Sequence, residues 1–88
     1  MMMTQNETYQ RLFAFVATDL LNGDARDLDE NTPLLAWGVL DSMAMIQLTE
    51  FIERELEITI PTDELLDSAN LETLATITQM VEKYAGRR

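Results

Sequence analysis

Apolar side chains return every third or fourth residue along three separate stretches of this chain, a spacing that gathers them on one side of an α-helix. The first stretch is Tyr9, Leu12, Phe13, Val16 and Leu20; the second is Met45, Leu48, Phe51, Ile52 and Leu56; the third is Leu71, Leu74, Ala75, Ile77, Thr78, Val81 and Tyr84. A helix with one apolar stripe must cover it, and here the stripes can cover one another. The one alternation of strand type, Ile58-Thr59-Ile60, has no obvious pairing partner before Pro61 and reads as a connector. A chain of 88 residues, 47% of them hydrophobic, supports one core. The expectation is a single all-α domain over residues 1–88, its core about 5–85, built of three principal helices and one short one.

The helix ends have chemical causes. Thr4 with Glu7 has the spacing of a capping box before the first helix, and Asn22-Gly23 offers the left-handed residue that ends one. Asp41 is placed as N-cap of a second helix from Ser42 to about Leu56, whose interior has neither proline nor glycine. Thr62 is expected to cap a short helix through Leu66. Asn70 is expected to cap the last helix, with Gly86 beyond its end and Lys83, Arg87 and Arg88 near the negative pole of its dipole. Between the first and second helices, Asp24 to Leu40 has no period: an acidic half is followed by an apolar one. A connection of that length in a small domain points to function. It reads as a long loop pinned to the core by Leu34, Leu35, Trp37 and Leu40.

Composition removes most chemistry. With no cysteine and no histidine, the chain lacks disulfides, thiolate nucleophiles, imidazole bases and the usual zinc ligands. Sixteen acids against six bases give a net charge of -10, a surface that repels nucleic acid and anionic membranes and attracts basic patches on proteins. No apolar run approaches the roughly 20 residues of a bilayer-spanning helix. Met1 to Glu7 lacks the charge and apolar stretch of a signal peptide, so a cytoplasmic monomer is expected. Asp27 to Asn31 begins like a calcium loop, but Thr32 and Gly38 stand where glycine and a bidentate glutamate are required, and no metal site is expected.

Against that background Asp41-Ser42-Met43 stands out. It lies between the apolar approach Trp37-Gly38-Val39-Leu40 and the long amphipathic helix. One hydroxyl is thereby set at a helix N-terminus, where free N–H groups and the positive end of the dipole stabilise an anion. This serine is a poor candidate for self-activation, because no histidine exists and the only lysine, Lys83, falls in the last helix.

The segment Gly38-Val39-Leu40-Asp41-Ser42-Met43-Ala44-Met45-Ile46-Gln47-Leu48 resembles the prosthetic-group site of acyl and peptidyl carrier proteins. The similarity continues through Phe51 to Pro61 and into the helical patterns at both ends. The resemblance implies a non-catalytic, stand-alone carrier with phosphopantetheine on Ser42, Asp41 as flanking motif residue, and a thioester-linked acyl or aminoacyl cargo. It implies three kinds of partner: a phosphopantetheinyl transferase, an adenylating or acyltransferase enzyme, and a downstream synthase. Met43 holds the apolar position that meets partner enzymes in such carriers, and Ile46 and Glu50 would share its outward stripe.

From Asp41 to Asp67 the acids Asp41, Glu50, Glu53, Glu55, Glu57, Asp63, Glu64 and Asp67 face only Arg54. Glu50, Glu53 and Glu57 are the expected contacts with basic partners. Carriers of fatty acid synthesis typically follow the serine with Leu-Asp and place a glutamate before the next leucine; Met43-Ala44 and Gln47-Leu48 depart from this. The pattern is closer to carriers of polyketide or nonribosomal peptide pathways. Carriers for D-alanine transfer or fatty acid synthesis remain alternatives, as does an unmodified acidic helical adaptor in which Ser42 only caps a helix.

Overall fold

The structure, a computed structural model, describes residues 4–85, the side chain of Gln5 excepted. Its helices are α1 (Gln5–Phe15), α2 (Ser42–Glu55), α3 (Thr62–Leu66) and α4 (Leu74–Ala85). A π-helical turn over Val16–Leu20 prolongs α1, and a 3-10 turn over Ser68–Leu71 precedes α4. Among the described residues no strand forms. Ile58 and Ile60 are buried and Thr59 between them is exposed, so the short alternation pins a connector to the bundle.

α1 begins at the expected capping box: the Glu7 N–H donates to Thr4 Oγ1 at 3.1 Å and the Thr4 N–H to Glu7 Oε1 at 3.3 Å. Its far end is wider than expected. In the π turn the Leu21 N–H reaches the Val16 carbonyl at 3.0 Å, and the Gly23 N–H reaches Ala17 at 2.7 Å. The chain leaves through Asn22 and Gly23, both left-handed with φ of 55° and 86°, conformations suited to those two residues.

The stripes meet as the periodicity requires. Leu12, Val16, Leu48, Ile52, Leu74, Ile77 and Val81 are fully enclosed, and α1 lies closest to α4. Phe15 of α1 stacks on Phe51 of α2 at 4.7 Å between ring centres. The buried Thr8 hydroxyl bridges the Thr4 carbonyl and Glu82, both at 3.2 Å, so α1 is also tied to α4 by a polar contact. Met45, expected in the core, is half-buried, and Ala44 takes a buried place instead.

The loop of residues 21–41 crosses the bundle without regular structure, yet it is held. The Leu34 N–H donates to the Glu72 carbonyl at 2.8 Å, and the Ala75 N–H to that of Glu30 at 3.0 Å. Leu28, Leu34 and Leu40 are buried. From Pro33 the chain makes one helical turn, with the Trp37 N–H on the Pro33 carbonyl at 3.0 Å; it reverses at Gly38, φ 76°, and the Leu40 N–H returns to Leu34 at 3.1 Å. Leu34 and Leu40 are thus the two feet of an arch. Trp37 rides on top of it and is 60% exposed, so it is not the anchor its apolarity suggested.

Two caps also differ from expectation. Pro61, not Thr62, precedes α3, which has no side-chain cap; Asp63 and Glu64 in its first turn suit the dipole instead. At α4 the reciprocal pair is Thr73 and Thr76, each N–H bonding the other's hydroxyl at 3.1 and 3.2 Å. Asn70 lies in the 3-10 turn, where its amide donates to the Glu64 carbonyl at 3.0 Å and carboxylate at 2.9 Å. Gly86, Arg87 and Arg88, expected at the end of α4, lie outside the described residues.

α3 buries no residue fully and is fastened through Glu64. That carboxylate accepts from Lys83 Nζ at 2.8 Å, from the Tyr84 hydroxyl and from Asn70. The Lys83 hydrogen bond first, then that of Tyr84, hold its carboxyl below the ordinary value of 4.5. A carboxylate so depressed stabilises the fold above its unfolded pKa, and the contribution is lost as pH falls through the lowered value.

Replacing Leu48, 1% exposed, by alanine should cost about 2–5 kcal/mol in denaturant melts; a neutral result would mean that this face of α2 is not in the core. Glu64→Gln should lower the melting temperature at neutral pH. Its difference from the parent should shrink as pH drops below 4.5, and a difference constant with pH would refute the ionised fastening of α3.

Candidate functional site

The start of α2 divides two tasks between neighbouring residues. Asp41 has extended backbone, φ -92° and ψ -172°; its Oδ1 accepts the Ala44 N–H at 2.8 Å and its carbonyl accepts the Met45 N–H at 2.8 Å. Asp41 is therefore the cap. Ser42, the first helical residue, is exposed, and among the described residues nothing hydrogen-bonds its hydroxyl. A role for Ser42 as cap alone is thus not what the geometry provides.

This hydroxyl suits attachment of an anionic group. The N–H groups of Ser42 and Met43 lack intrahelical acceptors, as at any helix start, and α2 is 14 residues long with no acid in its first turn. A phosphodiester on Oγ would break no hydrogen bond and would sit at the positive end of the dipole. Among the described residues no group of histidine, cysteine and carboxylate side chains is arranged for a metal ion.

The remaining candidates spread along one outward face. Met43 and Ile46 are 64% and 57% exposed, as the outward stripe requires. Glu50 and Glu53 are exposed further along, and Glu57 lies just beyond the helix in a left-handed conformation, φ 57°. At 1.5 Å per residue Glu53 is about 16 Å along the axis from Ser42. The structure gathers Asp41, Ser42, Met43 and Ile46 at one end and leaves the acids toward the other. Arg54 lies 3.6 Å from Glu55 there and locally offsets the charge.

Sequence reading missed what lies between elements. A shallow groove of about 410 Å³ runs beside Ser42, where the π turn, the top of the arch and the start of α2 converge. Asp19, Leu20, Leu21, Trp37, Val39 and Asp41 line it. The signal for it in the sequence is a lone tryptophan between two loop leucines and next to glycine.

Residues 11–78, a segment containing this whole helix start, match the family described as phosphopantetheine attachment site. The chain belongs to this family. It is 30% identical over 73 residues to the probable acyl carrier protein PigG of Serratia sp. (strain ATCC 39006), with 83% of each chain covered. A chain in a crystal structure of an FAD-dependent dehydrogenase is 38% identical, with a TM-score of 0.74; the match covers 80% of this chain and 97% of that one. Phosphopantetheine attachment proteins bear that group covalently and are carriers, not catalysts. Among the described residues no helix is long and apolar enough to cross a membrane.

Since Asp41 alone caps α2, Asp41→Ala should cost about 1 kcal/mol, while Ser42→Ala should stay within about 0.5 kcal/mol of the parent. Thermal melts of the two variants test this, and equal losses would show that both side chains cap.

Proposed function

We propose that the chain holds an acyl or aminoacyl group as a thioester on a phosphopantetheine arm attached to Ser42, in polyketide or nonribosomal peptide-type specialised metabolism. The attachment point rests on one observation: an exposed hydroxyl with no hydrogen-bond partner, at the positive end of α2, within the matched segment. The arm supplies a terminal thiol on which cargo is held. In loading, Ser42 Oγ gains a bond to phosphorus as coenzyme A loses its nucleotide portion. The hydroxyl proton must go to a base on the transferase, since the chain has no histidine and its one lysine is engaged with Glu64.

Asp41 holds the helix start in place for that transfer. Met43 and Ile46 form the apolar contact for docking enzymes, and Glu50, Glu53 and Glu57 steer basic ones. Steering of this kind raises encounter rate more than affinity, which suits a carrier that must be released. The proposed partners are a phosphopantetheinyl transferase, an adenylating or acyltransferase enzyme and a downstream synthase, met by a cytoplasmic monomer. Similarity to a chain from the FAD-dependent dehydrogenase structure adds a flavin-dependent dehydrogenase to the enzymes proposed to act on the carried group. The absence of Leu-Asp after Ser42 supports a specialised pathway over primary fatty acid synthesis.

Incubation with coenzyme A and a broad-specificity phosphopantetheinyl transferase should add one phosphopantetheine by intact mass, and Ser42→Ala should accept none. An adduct on the variant equal to that on the parent would move the attachment elsewhere; no adduct on folded parent would remove the carrier reading.

A further inference from the structure

The groove beside Ser42 has a mixed lining: Leu20 and Leu21 at the end of the π turn, Trp37 and Val39 from the arch and Met43 from α2 are its apolar part, and Asp19, Asp41 and Gln47 make more of its surface polar than apolar. Asp41 and Met43, the two neighbours of Ser42 in sequence, both line it, so the groove passes close to the proposed attachment point. A second cleft of about 220 Å³ adjoins it and shares Leu21, Trp37 and Val39. No lysine or arginine among the described residues lines either space.

We propose that this groove receives the carried group, and that the group is a small apolar aminoacyl residue with its ammonium free. The inference rests on attachment of the arm at Ser42 as proposed above. Charge decides the class: Asp19 and Asp41 attract the ammonium of an aminoacyl thioester, and the face of Trp37 is favourable to a cation as well. A plain fatty acyl group offers those carboxylates nothing and would be obliged to lie against them. The apolar part of the residue covers Trp37, which is otherwise 60% exposed.

Tethering makes a weak site sufficient. A group on a short flexible arm is held near the groove at an effective concentration on the order of 1 mM. A groove of millimolar affinity is then about half occupied, shielding the cargo for part of the time while leaving it available to an enzyme.

Trp37 is the only tryptophan in the chain and therefore a site-specific reporter. Parent protein would be loaded by the transferase with coenzyme A, leucyl-coenzyme A or 4-methylpentanoyl-coenzyme A, the last having the leucyl skeleton without the amine. Each adduct is confirmed by intact mass, and acrylamide quenching of Trp37 is then compared. The leucyl form should be quenched about twofold less than the unloaded arm and the 4-methylpentanoyl form clearly less protected. Protection should fall with Asp19→Asn and with rising salt. Quenching unchanged by a confirmed leucyl adduct would overturn the groove as cargo site, and equal protection by both acyl groups would overturn the aminoacyl assignment. Absence of any adduct would instead overturn attachment at Ser42, and this proposal with it.

Discussion

The irregular crossing from α1 to α2 must be held on the bundle without a ladder of its own, and the position of everything functional depends on how that is done. Two main-chain hydrogen bonds, Leu34 to Glu72 and Ala75 to Glu30, join the loop to the approach of α4. Three buried leucines, Leu28, Leu34 and Leu40, supply the apolar part. Burial of one leucine is worth about 1.5–3 kcal/mol, so these side chains outweigh the hydrogen bonds, whose net value is nearer 1 kcal/mol each. Leu40 stands one residue before the cap of α2. The same burial that secures the loop therefore sets where α2 begins, where Ser42 faces solvent, and how far Trp37 is lifted above the surface.

At the helix start an aspartate and a serine, both good N-cap residues, occur side by side, and only one can cap. Asp41 takes the role through its extended backbone and its bond to the Ala44 N–H. Ser42 then falls inside the helix with an uncommitted hydroxyl. Interchanging the two would leave the chain similarly hydrophilic but would bind the hydroxyl to the backbone. The order Asp-Ser, and not the pair as such, is what leaves an oxygen available at the positive end of a dipole.

Most of the fold was legible because helical spacing records burial directly: the stripes containing Leu12, Leu48, Ile52, Leu74 and Val81 are the core. The capping box at Thr4 and the left-handed exit at Asn22-Gly23 were legible for the same local reason. Errors arose where a longer-range partner decided the outcome. Trp37 has the composition of an anchor, but its position on the arch is decided by Leu34 and Leu40 meeting each other. Asn70 has the chemistry of a cap, but Glu64 engages its amide while Thr73 and Thr76 cap one another. The π turn was hidden because Val16 and Leu20 continue the ordinary helical spacing of α1, and the groove it helps to wall has no pattern in the sequence. The helix start at Asp41-Ser42 was legible because its signal is a contiguous run of residues.

Placement of the acids along α2 is not what the helix would choose for its own stability. Its first turn, where carboxylates interact favourably with the dipole, has none after the cap, whereas Glu53 and Glu55 lie in the last turn, where each is disfavoured by about 0.3–1 kcal/mol. Arg54 offsets part of that cost. The separate roles proposed for its two ends would account for the arrangement. Glu50 and Glu53 are about 12 and 16 Å along the axis from Ser42, beyond the screening length of about 8 Å at physiological ionic strength. A phosphodiester at Ser42 is therefore little repelled by them, while a basic patch wide enough to reach the far end of α2 still meets them. On the proposed function, an acidic far end for partners and an anion at Ser42 are compatible because the length of α2 exceeds the reach of Glu50 and Glu53.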